Sequence, residues 1–161
     1  MARIEEIGIE NIIKAMNEHY KKFGRDDKFI RMEDIVINSN EPKYIYDISN
    51  AVNGIDMDKF SKAMSKYFNI WSSSYDYFEF VEKFLALENA NHSYFVPEVL
   101  ITHSAEKLAF AVNNIKGVDI DYIVSREREN KNPQILYYLA RELPEKRQEL
   151  ANAFLEIDNV T

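Results

Sequence analysis

Apolar residues recur at helical spacing along almost the entire chain. In the first segment they define one face of a helix predicted from Ile4 to Lys22, which carries Ile9, Ile12, Ile13, Met16 and Tyr20. The chain contains only four glycines and four prolines. Because an all-β domain needs many turns, this scarcity of turn residues favours helices. The pattern therefore predicts an all-α fold.

A nine-residue phrase occurs twice, at residues 50–58 and again 63 residues later at 113–121. Both copies carry an asparagine, a glycine and two aspartates at identical spacing, and their hydrophobic positions match in type. Gly54 and Gly117 are predicted to end a helix in the left-handed conformation, which side chains disfavour. The first aspartate of each copy is predicted to cap the next helix. Each phrase therefore marks the corner of a helical hairpin.

Weaker copies of this hairpin fill the rest of the chain. Asn132-Pro133 echoes Glu41-Pro42, and a proline in the first turn is typical of a helix start. The spacing of the copies gives a period of about 31 residues, and because a lone hairpin cannot bury its apolar face, neighbours must stack. We expect one domain over residues 1–161, with capping helices at 1–38 and a short right-handed stack of about four hairpins at 39–161.

The pattern Asn/Ser-x-Pro-x-Tyr-Ile-Tyr, followed by Val-x-Gly-x-Asp-x-x-x-Phe, resembles an α-helical repeat of hypothetical proteins from bacteria, their phages and giant viruses. It is similar to the HEAT-like solenoid class. Residues 40–64 and 103–124 carry the match well, whereas 73–100 and 132–156 carry it loosely. The resemblance implies a solenoid-like helical architecture that serves as a binding scaffold, and it implies almost nothing about chemistry.

The chain is acidic, with a formal net charge of −7 and a sequence pI near 5.1. Direct binding to nucleic acid is not expected, because phosphate contacts need a basic surface. No segment approaches the ~20 apolar residues of a membrane span, and residues 1–10 lack the apolar core of a signal peptide. The chain has no cysteine, which fits a reducing compartment. These observations predict a cytoplasmic protein without membrane association.

The residues typical of catalysis and metal binding are sparse. None of the three histidines, His19, His92 and His103, occurs in the helical pairings that bind zinc or di-iron centres. No two glycines lie close enough to form a phosphate-binding loop. We therefore expect no catalytic residue, no cofactor site and no metal site.

Two acidic pairs and one run of alternating charge have simpler interpretations. The pairs Asp56/Asp58 and Asp119/Asp121 offer too few oxygen ligands for a calcium loop, and helix capping explains them. The run from Arg126 to Glu129 alternates in sign. It is expected to be a solvated helix face with weak ion pairs.

Ten of the 21 aromatic residues lie between Tyr67 and Phe95, in a stretch that is acidic and has few basic residues. One interpretation is a thick aromatic core. However, several of these residues fall off the buried helical stripe, and aromatic residues with an acidic rim are typical of an interface for a basic partner. The residues expected to bind a partner are Trp71, Tyr75, Asp76, Glu79, Phe80, Glu82 and Tyr94.

These features favour a non-catalytic protein-binding module with a basic or nucleic-acid-binding protein as its partner. A sharper form is a phage-type inhibitor, an anti-CRISPR or other anti-defence protein, whose carboxylates stand in for phosphates. Two alternatives stay open: an enzyme with a dispersed carboxylate site between helices, and a structural assembly protein. The charged tail from Pro144 to Thr161 is expected to cap the stack, which predicts a monomer or a small homo-oligomer.

Overall fold

The computed structural model describes residues 4–70 and 76–157, except for the side chains of residues 76 and 77. All regular secondary structure in these ranges is helical, so the all-α prediction is confirmed. The α-helices are α1 (Ile4–Ile7), α2 (Ile9–Phe23), α3 (Asp27–Ile37), α4 (Pro42–Ala51), α5 (Met57–Ser65), α6 (Asp76–Leu85), α7 (Val96–Ile101), α8 (Ala105–Asn114), α9 (Ile120–Asn130), α10 (Pro133–Glu142) and α11 (Arg147–Leu155). Two 3₁₀ helices cover His92–Tyr94 and Pro144–Lys146.

The chain divides into two compact units, Met1–Asn91 and His92–Thr161. The first unit contains α1 to α6, and the second contains α7 to α11 together with both 3₁₀ helices. The expected boundary at residue 38 between capping helices and repeats stays a prediction. None of the described helices combines the length and the apolar character that crossing a bilayer requires.

In the first unit, α4 is the central element and packs against α2, α3, α5 and α6. The core is formed by side chains with almost no solvent exposure, among them Phe29, Val36, Ile45, Ile48, Phe60, Met64, Phe68, Val81 and Phe84. The single helix predicted over Ile4–Lys22 is wrong in one respect. Gly8 has a φ of 93°, which interrupts the helix and separates α1 from α2.

In the second unit, α10 is the central element and packs against α8, α9 and α11, while α7 packs against α8. Its core contains Phe95, Val99, Leu108, Ile123, Leu136, Leu139 and Leu150. Pro144 begins a 3₁₀ helix, and α11 follows from Arg147.

The two corners predicted from the repeated phrase have matching backbone geometry. Gly54 and Gly117 have φ values of 78° and 89°, so the predicted positive φ is confirmed at both. Neither glycine ends its helix, because α4 ends at Ala51 and α8 at Asn114, each followed by an extended cap residue. The side chains of Asp56 and Asp119 accept hydrogen bonds from the backbone N–H groups three residues later, so both capping predictions are confirmed. The stacking of hairpins into a solenoid stays a prediction.

The start of α4 differs from its expected form. Pro42 does occupy the first turn, as predicted. Asn40, a residue type that often caps helices, has a φ of 60° and lies outside the cap position. The residue at the cap position is Glu41, whose side chain makes no capping hydrogen bond. Helix α4 therefore begins with a proline and without a side-chain cap. It forms nevertheless, because it gains its stability from the helices packed around it.

Candidate protein-binding surface

The residues predicted to bind a partner are only partly brought together. Glu79, Phe80 and Glu82 lie on α6 in the first unit, and Tyr94 ends a 3₁₀ helix in the second unit. Asp76 is the first residue of α6, and nothing is described of its side chain. Trp71 and Tyr75 lie outside the described residues. The predicted partner-binding residues can therefore be compared with the structure mainly on α6, at Glu79, Phe80 and Glu82.

Phe80 meets an aromatic residue of the neighbouring helix α4. The ring centroids of Tyr46 and Phe80 lie 6.2 Å apart with an interplanar angle of 39°. Both side chains are half-buried, so each ring has one side in contact with protein and one part open to solvent. Such tilted pairs are typical of aromatic contacts. This contact lies where α4 packs on α6, and the charge of Lys83 on α6 also reaches Asp47, the residue after Tyr46.

Asp47 is a half-buried acidic residue of α4. Burial raises the pKa of its carboxyl, and the positive charges of Lys43 and Lys83 only partly oppose this effect. Among the described residues, no side chain or backbone N–H donates a hydrogen bond to Asp47, and none forms an ion pair with it. A half-desolvated carboxylate without a donor is a group that a guanidinium or ammonium from another molecule would stabilise.

A lysine of the same surface already occupies part of this space. The Lys83 Nζ lies 5.4 Å from the centroid of the Phe80 ring and 3.0 Å from Oε1 of Glu79. The hydrogen bond and charge of Glu79 raise the pKa of Lys83. Lys83 and Glu79 remain about half exposed, with relative exposures of 48% and 47%. A cation over an aromatic face, held by a carboxylate, is thus a stable arrangement on this surface.

We call Tyr46, Asp47, Glu79, Phe80 and Lys83 the α4–α6 surface. Its wider surroundings are negative, since burial and then the charges of Glu5, Glu41 and Asp47 raise the pKa of the nearby Tyr44. Sequence reasoning found the α6 residues but missed Tyr46 and Asp47. The Tyr44-Ile45-Tyr46-Asp47-Ile48 run could have shown them, because an acid between two core isoleucines must lie at the edge of a buried face.

A second group of acids lies at the Gly54 corner, and its central residue is Glu33. Glu33 is fully buried and accepts two hydrogen bonds of 2.8 Å from Arg25, one from the backbone N–H of Asp56 at 2.8 Å, and a longer one from Lys59. Burial acts to raise the pKa of Glu33, but these donors and the charges of Arg25 and Lys59 hold it below its ordinary value.

The donors around Glu33 belong to separate segments of the first unit. Arg25 lies in the turn before α3, and it also donates to the carbonyl of Gly54 at 2.8 Å. Asp56 precedes α5, and Lys59 lies within α5. These donors occupy the lone pairs of Glu33, and their hydrogen bonds join α3 to α5. This arrangement favours a structural role for Glu33 over acid–base chemistry.

Glu127 is the exception to the predicted solvated face from Arg126 to Glu129, since Arg128 and Glu129 are exposed and Arg128 forms a surface ion pair with Glu149. Its side chain is fully buried on α9. One carboxylate oxygen accepts a hydrogen bond of 2.9 Å from Nε of Arg126, and the other has no partner among the residues that the structure describes. The remaining guanidinium nitrogens of Arg126 donate to the carbonyls of Leu100 and Thr102. The alternating charge pattern failed at Glu127 because α9 packs against α10 and α11, which cover this position.

The three histidines have local roles. The Nε2 of His19 lies 2.7 Å from Oδ1 of Asp26, and Asp26 caps α3 through the N–H of Phe29. The Nδ1 of His92 accepts a hydrogen bond of 3.0 Å from the backbone N–H of Lys116 beside the Gly117 corner. His103 is exposed between α7 and α8. The described residues contain no group of three or more potential metal ligands.

Comparisons with protein-family models, with curated proteins and with solved structures find no match to this chain. The resemblance to α-helical repeats of the HEAT-like class therefore stays a prediction. What this protein does has to be inferred from the chemistry of its surfaces.

Proposed function

We propose that this protein is a non-catalytic binding module that recognises a basic protein through the α4–α6 surface. The observation that carries this proposal is Asp47, a half-buried carboxylate to which no described residue donates a hydrogen bond, beside the paired rings of Tyr46 and Phe80. Half-buried aromatic rings provide contact area, and the carboxylate provides selection for positive charge. The partner residue that fits this combination best is an arginine, which can stack on a ring and bond to a carboxylate at once.

Within the protein itself, Lys83 shows how a positively charged side chain binds to the α4–α6 surface. Its ammonium lies over the Phe80 ring and pairs with Glu79, an arrangement that an incoming arginine would extend toward Asp47. Lys83 is half-exposed and bound by a single surface ion pair, and such pairs are worth only about 0 to 1 kcal/mol. A partner can therefore displace it at little cost.

The sharper form of the proposal is an inhibitor of a nucleic-acid-handling protein, of the anti-CRISPR or another anti-defence kind. In this form the exposed carboxylates of Glu79 and Glu82, together with Asp47, take the place of phosphates on a basic channel. The acidic residues Glu5, Glu41 and Asp47, whose charges reach Tyr44, support it. Binding of this kind has to weaken steeply with salt.

Affinity capture from a bacterial lysate tests the proposal. The immobilised wild-type chain is expected to recover a basic protein that the Phe80→Ala variant does not retain. Tyr122→Ala is the matched control, because Tyr122 is an exposed aromatic residue, 51% accessible, in the second unit. Equal recovery by both variants and the wild type would exclude the α4–α6 surface as the binding site.

A salt series on the recovered complex tests the sharper form separately. Between about 0.1 M and 1 M salt the Debye length falls from about 10 Å to about 3 Å, so a phosphate mimic is expected to lose most of its affinity. Competition by single-stranded or double-stranded DNA for the partner is expected as well. Binding that is independent of salt and of DNA would leave a protein-binding module but rule out the phosphate-mimic form.

A further inference from the structure

The corner between α4 and α5 contains the one asparagine of the sequence that is directly followed by a glycine, in the pair Asn53-Gly54. Asn53 is exposed to solvent, and its side chain makes no hydrogen bond with the residues that the structure describes. No described residue accepts a hydrogen bond from the backbone N–H of Gly54. An accessible side-chain amide therefore lies next to a backbone nitrogen that no hydrogen bond holds.

We propose that Asn53 is a site of spontaneous deamidation in the folded protein. In this reaction the backbone nitrogen of Gly54 attacks Cγ of Asn53 and a new C–N bond forms. The bond between Cγ and Nδ2 breaks, and the amide nitrogen leaves as ammonia together with the proton of the Gly54 N–H. Solvent water then hydrolyses the five-membered succinimide ring at either carbonyl, which gives aspartate or isoaspartate.

The glycine after Asn53 makes this attack possible. Because Gly54 has no Cβ, the approach to its own nitrogen is open, whereas a β-branched residue would obstruct it. The second corner lacks the pair, since Lys116 precedes Gly117 there. Asn114, at the end of α8, is followed by the β-branched Ile115. Gly54 and Gly117 share a positive φ, but the first corner alone has the labile sequence.

The main chain on both sides of the labile pair is anchored to other segments of the first unit. The N–H of Asn53 donates to Oδ1 of Asn17, and the carbonyl of Gly54 accepts from Nη1 of Arg25, each at 2.8 Å. Neither anchor involves the two reacting atoms. Isoaspartate would insert one carbon into the main chain between the anchors, and either product would add a negative charge three residues before Asp56. Deamidation is therefore expected to loosen the packing of α2 on this corner.

Incubation of the folded full chain at mildly alkaline pH, followed by mass spectrometry of its proteolytic peptides, tests the proposal. The acid product is expected to form at Asn53 at no less than about one tenth of its rate in the urea-unfolded chain, because no local opening has to precede the reaction. Asn53→Gln is the matched control. It is expected to give no product at this position, since the longer side chain would have to close a six-membered ring. A slower reaction in the folded chain, or product in the unfolded chain alone, would overturn the proposal.

Hydrogen exchange measures the structural consequence separately. Fresh protein, fully deamidated protein and Asn53→Asp are compared over α2 and residues 52–56. The substitution adds the negative charge but keeps the normal main chain. Exchange is expected to be fastest in the deamidated protein, because only isoaspartate lengthens the chain between the anchors at Asn17 and Arg25. Equal exchange in fresh and deamidated protein would show that both anchors survive, and it would contradict the expected loosening.

Discussion

The ring of Tyr20 lies directly over Gly54. A Cβ added to Gly54 would come within 2.1 Å of Cε2 of Tyr20. Asn17, on the same helix α2 as Tyr20, also bonds to the backbone around this corner. Its side-chain amide donates to the carbonyl of Ala51 at 3.0 Å and accepts from the N–H of Asn53 at 2.8 Å. Helix α2 therefore packs on the corner between α4 and α5, and a residue without a side chain is required there.

Gly54→Ala is expected to destabilise the first unit more than Gly117→Ala destabilises the second. Both glycines have positive φ, so each alanine meets a backbone penalty of about 1 to 2 kcal/mol. At Gly117 the nearest atom to the new Cβ is 3.6 Å away, on Val96, which is an ordinary contact. At Gly54 the clash with Tyr20 adds about 1 to 3 kcal/mol of overpacking. Hydrogen exchange resolved by segment measures both effects separately.

A double-mutant cycle isolates the clash. Combining Tyr20→Ala with Gly54→Ala is expected to cost clearly less than the sum of the two single changes, because the truncated side chain no longer meets the new Cβ. Additive costs would mean that the Tyr20 ring moves aside freely and that Gly54 is needed for its backbone angle only.

Glu33→Gln is expected to lower the free energy of unfolding of the first unit by about 3 kcal/mol, because it leaves Arg25 and Lys59 without their buried anion. Glu88→Gln is the control, because it removes one negative charge from an exposed position outside the helices. Chemical denaturation at neutral pH measures the difference. An effect as small as that of the control would show that the hydrogen bonds of Glu33 do not join α3 to α5.

The contribution of Glu33 to stability is expected to depend on pH. Its pKa is lower in the folded protein than the ordinary value of 4.5. The stabilisation is therefore complete above that ordinary value, and it is lost as the pH falls through the lower, folded-state pKa. Denaturation midpoints of the wild type and of Glu33→Gln are expected to converge below pH 4.5. A constant difference down to strongly acidic pH would contradict this.

Glu127→Gln is expected to behave differently from Glu33→Gln. The unpartnered oxygen of Glu127 is buried at a cost, and glutamine removes the charge while keeping the oxygen that Arg126 bonds. Arg126 retains the carbonyls of Leu100 and Thr102 as acceptors. The change in the free energy of unfolding is expected to stay within about 1 kcal/mol. A loss as large as that for Glu33→Gln would mean that the charge of Glu127 is needed by Arg126.

Asp47→Asn is expected to stabilise the first unit at neutral pH and to weaken binding of the basic partner. Burial raises the pKa of Asp47 above its ordinary value of 3.8, so the charged form is disfavoured in the folded state. The wild type thus loses stability as the pH rises from 3.8 through the folded-state pKa, and asparagine avoids this loss. Thermal denaturation at several pH values measures the first effect. A residue retained for binding at the expense of stability shows both changes together.

Glu106→Gln in the second unit is the control for Asp47→Asn, because it removes an exposed carboxylate from α8. It is expected to leave partner binding unchanged. If Asp47→Asn stabilises the protein but does not weaken binding, Asp47 belongs to the edge of the core and not to the binding surface.

Lys83→Met is expected to strengthen binding of the basic partner by up to about fivefold, the equivalent of one surface ion pair. Methionine can still cover the Phe80 ring, but it removes the charge that competes with the partner for Glu79 and Asp47. Isothermal titration with the captured partner measures the change. Weaker binding by Lys83→Met would show that Lys83 contacts the partner directly.

The sequence alone determined the class of the fold and its local corners. Helical periodicity and the scarcity of glycine and proline predicted an all-α chain, and the repeated phrase located Gly54 and Gly117 with their capping aspartates. These features can be predicted from the sequence because they depend on interactions within a few residues. One is the backbone angle at glycine, and the other is the hydrogen bond from a capping side chain to the next turn.

Only the tertiary structure decided which charged residues are buried and which aromatic residues share a surface. Glu33 lies on the same helix as the exposed Arg31, and Glu127 lies within an alternating run, so no local pattern separates them from solvated acids. Their burial follows from the helices that pack over them. Likewise Tyr46 and Phe80 are 34 residues apart in sequence and meet only because α4 packs on α6. Burial and surface chemistry are set by distant parts of the chain, whereas helix formation is set by near ones.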